Sequence, residues 1–283
     1  MGYGDEIMVS GEARRLQEAD PDRRPVAVFG DNTHRRWSSL WEKNPRILPT
    51  SADLFDRSTY LKLVNGPGCR PYVDYARMRA QFDSLFPGVP FTTKLRDHRL
   101  PWRYTDWRAT PGELYCVESL SPRGYIVVEP NPKANGNPNK DWGWNRWRAL
   151  VAAAKWTAHP WVQLGPPGTR LLEGVAHIET PTFRDAAQVL SGAAALVTGD
   201  GGLHHAAAAL GVPAVVIFGG ISSPANLGYD AHINLWDAGD ESPCGQWVPC
   251  GHCKAAMAAI KVETVAESTE RLLGRQVSRH DRA

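Results

Sequence analysis

The chain has 283 residues, 42% of them hydrophobic before its 26 glycines are counted, which suffices for a large buried core and excludes a disordered tail. Lys and Arg number 32 against 30 Asp and Glu, a net charge of +2 that excludes the basic imbalance of a dedicated nucleic-acid coat and leaves a local basic groove open. No run approaches the roughly 18 to 20 uninterrupted apolar residues that span a bilayer. The first residues show no charged-then-apolar leader, and three of the five cysteines crowd into Cys244, Cys250 and Cys253, so the expectation is a soluble, cytoplasmic protein without a disulfide framework.

In chain order, residues 5–18 place Ile7, Met8 and Leu16 at helical spacing behind Asp5 and Glu6, which predicts a helix fed by a glycine-containing loop. Val26 to Phe29, closed by Gly30 and Asp31, predicts a short buried strand. Residues 30–118 are broken by Pro45, Pro49, Pro67, Pro71, Pro87, Pro90, Pro101 and Pro111. Ser121-Pro122-Arg123-Gly124 reads as a linker, which predicts domains at 1–120 and 121–265 and a C-terminal helix and tail at 266–283. Most of the 11 tryptophans lie between Trp37 and Trp161, where a cleft between the domains is expected.

Beyond the linker, apolar runs predict strands at 125–129, 161–164, 175–178, 194–197 and 213–218, with helices at 144–157, 183–191 and 202–210 between them. Strands alternating with helices predict parallel βαβ units, a doubly wound sheet, and ligands at the C-terminal ends of the strands.

The most informative segment is Ala194 to Pro213. An apolar strand runs through Gly199-Asp200-Gly201 into the Ala-rich helix that starts near Gly202, so unpaired backbone N–H groups and a helix dipole aim at one point. That point suits a phosphate. The same glycines also read as a tight turn with no ligand.

Asp200-Gly201-Gly202-Leu203-His204-His205-Ala206-Ala207-Ala208-Ala209-Leu210-Gly211-Val212-Pro213, followed by Val215-Val216-Ile217-Phe218-Gly219, resembles the heptosyltransferase family, glycosyltransferase family nine. The family block reads Asp-Thr-Gly-x-x-His-x-Ala-Ala-Ala-Leu-Gly-x-Pro, and the departure is Gly201 in place of threonine. Lys140-Asp141-Trp142, after the strand Ile126 to Glu129, is similar to the family's Lys-x-Trp, with Lys133 and Arg146 as competing cations. Gly4-Asp5 looks like the Gly-Asp of its first loop, although the family's first strand precedes that loop and three residues precede it here. Cys250-Gly251-His252-Cys253, leading to Met257 and Ile260, resembles the family's Cys-x-x-Cys-x-x-x-Met-x-x-Ile.

The resemblance implies a GT-B architecture: α/β, two Rossmann-like domains facing each other across a cleft, the N-terminal one shortened. It implies inverting transfer of a sugar from a nucleotide-diphosphate donor to a hydroxyl, with Asp5 as general base and Lys140 as a cation against the departing diphosphate. Asp200, Gly201, Gly202, Leu203 and His205 would form the donor-phosphate loop, and Gly165 and Glu173 would lie by the ribose and base. No metal or other cofactor is implied for transfer, since lysine and helix N-termini replace a cation. The default acceptor is a saccharide or lipid-linked sugar of the lipopolysaccharide core, which adds an expectation of peripheral association with the inner membrane.

Two alternatives stay open. The run Lys94, Arg96, His98, Arg99, Trp102, Arg103, Tyr104, Trp107, Arg108 interleaves cations with aromatics, which suits either a packed solvated face or stacking on bases, as in a phage-type DNA glycosyltransferase acting on a hydroxymethylated base. A noncatalytic nucleotide-sugar-binding protein is the other. Cys244, Cys250 and Cys253, with His252, raise a zinc site against the alternative of thiols packed beneath the last helix. Phe183-Arg184-Asp185 opens a helix where such folds bring a nucleoside close.

Overall fold

The structure is a computed structural model and describes residues 2–31, 33–54, 56–66, 84, 87–88, 107–120, 124–130, 136–154, 157–239, 242–244 and 248–280. The predicted linker 121–123, Lys133, Trp156 and the basic-aromatic run from 94 to 106 lie outside them.

The first helix, α1 (Tyr3–Ala19), starts two residues earlier than the periodicity predicts, so Gly4 and Asp5 belong to its first turn and not to a preceding loop. Asp5 fixes that start, its Oδ2 accepting the Gly2 N–H at 3.1 Å. β1 (Val26–Phe29) pairs in parallel with β2 (Leu61–Val64), a strand the proline-broken region concealed.

After residue 120 the predicted alternation is present: β3 (Ile126–Glu129), α2 (Trp144–Ala153), β4 (Trp161–Gly165), β5 (Ala176–Glu179), α3 (Phe183–Leu190), β6 (Ala195–Gly199), α4 (Gly202–Leu210) and β7 (Ala214–Phe218). The short α5 (Pro224–Leu227), β8 (Ile233–Trp236), α6 (Gly251–Ala259) and α7 (Val262–His280) complete the described chain. β8 escaped prediction because Asn234 interrupts a four-residue strand at the sheet edge. The last helix starts at Val262, inside the range expected for the preceding domain.

The six strands form one parallel sheet in the order β5-β4-β3-β6-β7-β8. From β3 the chain winds outward through β4 and β5, then returns to β6 and winds the other way. Strand order therefore reverses between β3 and β6, and a crevice at the C-terminal ends of those two strands is where this topology places ligands.

Alternation along the strands divides the core between the faces. Val127, Leu196, Val216 and Phe218 join Ile7, Val28 and Trp41 on one face; Ile126, Val128, Val197 and Ile217 join Trp142, Trp147, Leu150 and Val265 on the other. One apolar cluster thus runs continuously from α1 and β1 into the six-stranded sheet. Of the tryptophans expected at a cleft, Trp41, Trp142 and Trp147 are core instead, each at most 2% exposed. Their indole N–H groups explain how such large rings tolerate burial, Trp41 donating to the Glu6 carbonyl at 2.7 Å and Trp142 to Ile260 at 2.9 Å.

Because α1 shares its core with the sheet, truncating Ile7, fully buried in that cluster, acts on the whole molecule. Ile7→Ala is expected to cost about 2–5 kcal/mol in chemical denaturation, with near- and far-ultraviolet signals shifting together. A shift confined to a separate minor transition would contradict the shared core.

Candidate active site

The reversal point is occupied by two loops that lie far apart in sequence. After β3 the chain makes a single 3-10 turn over Pro138–Lys140, capped by the Asn137 side chain. After β6 it passes through Asp200 and Gly201 into α4. Lys140 Nζ meets Asp200 Oδ2 at 2.6 Å, and the Ser222 hydroxyl from the loop after β7 donates to the same oxygen at 2.5 Å.

Asp200 is buried, while the Lys140 side chain keeps about 29% of its exposure. Burial alone would raise the Asp200 pKa; Lys140, with the hydrogen bonds from Lys140 and Ser222, outweighs it and holds the carboxyl well below the usual carboxylate range. The result is an ionised carboxylate anchoring a cation whose outer side faces solvent.

The mouth of α4 is partly occupied. Gly201 N–H donates to His204 Nδ1 at 3.1 Å, and His204 Nε2–H donates to the Leu227 carbonyl at 3.0 Å, which fixes a neutral tautomer. Gly201 and Gly202 remain half-buried, whereas Leu203, His204 and His205 are buried. His205 shares a 2.7 Å hydrogen bond with the Tyr229 hydroxyl.

The N-terminus of α1 reaches the same place. A side chain at Gly4 would meet the His205 ring at 2.6 Å and the Gly202 Cα at 3.6 Å, so the absence of a Cβ lets the two helix starts touch. Tyr3 stacks on Phe183 of α3 with ring centroids 4.4 Å apart, and Phe183 in turn abuts Gly202. Asp5 is thereby brought to within one residue of the contact with the glycine turn, its side chain 3.1 Å from Gly2 N and its carbonyl accepting from Asn65 Nδ2 at 3.3 Å.

Lys140, Asp200, Gly201, Gly202, Leu203, His205, Asp5 and Phe183 therefore lie on segments that touch one another near the C-terminal ends of β3 and β6. Gly165 ends β4 on the same edge of the sheet, its carbonyl accepting from Thr180 N–H at 2.9 Å. Glu173 is not brought to the others. It is exposed and lies three residues before Ala176, which pairs with Val162 near the opposite, N-terminal edge. Arg146 bonds the Trp142 carbonyl at 2.5 Å, and Arg184 pairs with Glu42 at 2.5 Å. Sequence reasoning missed Ser222, His204 and Tyr229. Ser222 carried a usable signal, since it follows Phe218-Gly219-Gly220 at the end of a predicted strand; the partners of His204 and Tyr229 are visible only in three dimensions.

Residues 106–230 match glycosyltransferase family 9 (heptosyltransferase). This segment is therefore similar to glycosyltransferase family 9. Among solved structures, the glycosyl transferase family 9 protein of Veillonella parvula DSM 2008 aligns over 97% of this chain and 95% of its own, at 17% identity and a TM-score of 0.57. The Escherichia coli ADP-heptose lps heptosyltransferase II aligns over 97% of both chains, at 16% identity and a TM-score of 0.55. The iron-containing dodecameric glycosyltransferase TibC of enterotoxigenic E. coli H10407 is matched over 61% of this chain and 52% of its own, about half its length, at 16% identity and a TM-score of 0.47. No curated protein sequence matches the chain. The first two likenesses establish the fold, α/β with a Rossmann-like parallel sheet of the GT-B type. No helix among the described residues is long and apolar enough to cross a membrane.

Burial holds His204, His205 and His232, all behind the glycine turn, below the ordinary histidine pKa, His232 at about 3. Between that value and about 6.5 the unfolded chain binds more protons than the folded one, so stability is complete above about pH 6.5 and declines as the pH falls. Asp200 adds a decline in the same direction below about pH 4. Urea unfolding midpoints should fall steadily from about pH 7 to about pH 4, and His232→Gln should flatten the slope. An unchanged midpoint across that window would contradict neutral buried histidines.

Proposed function

We propose that the chain is an inverting glycosyltransferase that moves a sugar from a nucleotide-diphosphate donor to a hydroxyl acceptor of the lipopolysaccharide-core type. The observation that carries this reading is the Lys140–Asp200 pair at the strand reversal, beside the half-open start of α4. Lys140 and the N–H groups at the start of α4 offer positive charge where a diphosphate develops negative charge as it leaves.

The geometry also sharpens the roles. A carboxylate is a poor partner for a diphosphate, and Asp200 Oδ2 already accepts from Lys140 and Ser222. Asp200 is thus a positioning residue that aims Lys140, while Gly201, Gly202 and Leu203 supply backbone. Asp5 takes the proton of the acceptor hydroxyl; that oxygen then bonds to the anomeric carbon as the bond from that carbon to the diphosphate oxygen breaks on the opposite face. The electron pair departs with the nucleoside diphosphate. No metal ion enters this scheme.

The acceptor and donor follow the resemblance. The E. coli relative is described as an ADP-heptose enzyme, which makes an ADP-sugar the first donor to try. A donor at 100 times its Kd should add about 2.7 kcal/mol of apparent stability, seen as a raised Tm across a panel of nucleotide sugars. Lys140→Ala should remove most of that shift. Asp5→Asn, which keeps an oxygen for the Gly2 N–H, should retain the shift and lose about 10²- to 10⁴-fold in kcat. Donor binding without turnover in the wild type would favour a noncatalytic sugar-nucleotide binder, and affinity for hydroxymethylated DNA falling steeply with salt would favour the DNA-modifying alternative.

A further inference from the structure

Apart from the crevice, one other cluster of chemistry-bearing side chains stands out among the described residues. The candidate ligand atoms of Cys244, Cys250, His252 and Cys253 all lie within 4.8 Å of one another. Cys244 and Cys253 are buried, 2% and 0% exposed, and their sulfurs lie 3.0 Å apart with no disulfide between them.

The histidine separates a ligand site from packed thiols. His252 Nε2 lies 2.7 Å from the Ala238 carbonyl, which can only accept, so the ring proton is on Nε2 and the lone pair is on Nδ1. Nδ1 is shielded from solvent and has no hydrogen-bond partner among the described residues. A buried acceptor left in that state keeps its desolvation penalty uncompensated. A carbonyl that fixes one ring nitrogen and leaves the other unprotonated is the usual support for a metal-bound imidazole. Space is kept open as well: a side chain at Gly220 would stand 2.8 Å from Nδ1.

We propose that Cys244, Cys250, Cys253 and His252 bind a single zinc ion in a closed structural site. Three thiols and one imidazole supply a soft, four-membered donor set with no position left for a substrate, which suits tetrahedral zinc without a redox role. On binding, the thiols release their protons to solvent, so occupancy rises with pH.

The placement assigns the ion a purpose. Cys250 N–H donates to Asn139 Oδ1 at 2.9 Å, and Asn139 Nδ2 donates to the Val248 carbonyl at 2.8 Å, so the metal loop grips the residue beside Lys140. From the other side, Cys244 N–H and Ser242 Oγ both donate to the Gly220 carbonyl, at 2.8 and 2.9 Å, two residues before Ser222. The zinc loop therefore braces both the turn carrying Lys140 and the loop carrying the hydroxyl on Asp200. The metal site stands independently of the transferase reading, because its test reads metal and not turnover.

The full chain, purified under reducing conditions, should carry one zinc by elemental mass spectrometry, release it to a mercurial thiol reagent, and melt at a lower temperature after chelation. The apo chain reloaded with Co²⁺ should show thiolate-to-cobalt charge-transfer absorption and the visible bands of tetrahedral cobalt. Cys253→Ser should lose both metal and bands. Should that variant fail to fold, His252→Gln, at a partly exposed position, should still lower zinc occupancy and alter the cobalt spectrum. A chain that neither holds nor takes up zinc, one that holds iron in its place, or one with an intact Cys244–Cys253 disulfide would overturn the proposal, and full zinc retention in His252→Gln would overturn the four-ligand set.

Discussion

The ion pair between Lys140 and Asp200 is the interaction on which the arrangement of the crevice depends. It joins the loop after β3 to the loop after β6, the two loops that the reversed winding of the sheet leaves facing each other. A carboxylate this deeply buried needs a counter-charge and hydrogen bonds to remain ionised, and it receives both, from Lys140 and from Ser222. The cation is left with one side toward solvent. Fold and electrostatics thus converge on a half-buried positive charge next to a helix start.

The surroundings of that pair are neutral by construction. Burial holds His204, His205 and His232 neutral. A protonated histidine there would compete with Lys140 for Asp200. The second helix start comes from α1, which reaches Gly202 because Gly4 has no side chain to collide with His205. Docking of α1 is therefore part of the crevice as well as part of the core, since Ile7, two residues beyond Asp5, is buried in the cluster that supports β6 and β7.

The metal loop fits the same logic from behind. Lys140 sits on a turn of three residues with little regular structure of its own, and such a turn holds a cation in place only if something fixes its back. Asn139, bonded in both directions to the segment 248–250, is that fixture. The cysteines and His252 lie one step further out, where a bound ion would stiffen the segment behind Lys140.

Much was legible in the sequence by itself. The alternating apolar runs from Ile126 to Phe218 determined a parallel α/β sheet, because period-two and period-3.6 burial cannot be interchanged, and the Gly199 to Gly202 turn determined a helix start at its C-terminal edge. Lys140 and Asp200 were both found by pattern. What the tertiary structure alone decided is that they touch, that Ser222 completes them, that Glu173 lies near the other end of the sheet, and that Trp41, Trp142 and Trp147 fill the core. Local sequence encodes which face of a strand or helix is buried, whereas the meeting of residues 60 positions apart is set by strand order, and strand order is settled by how the whole core packs.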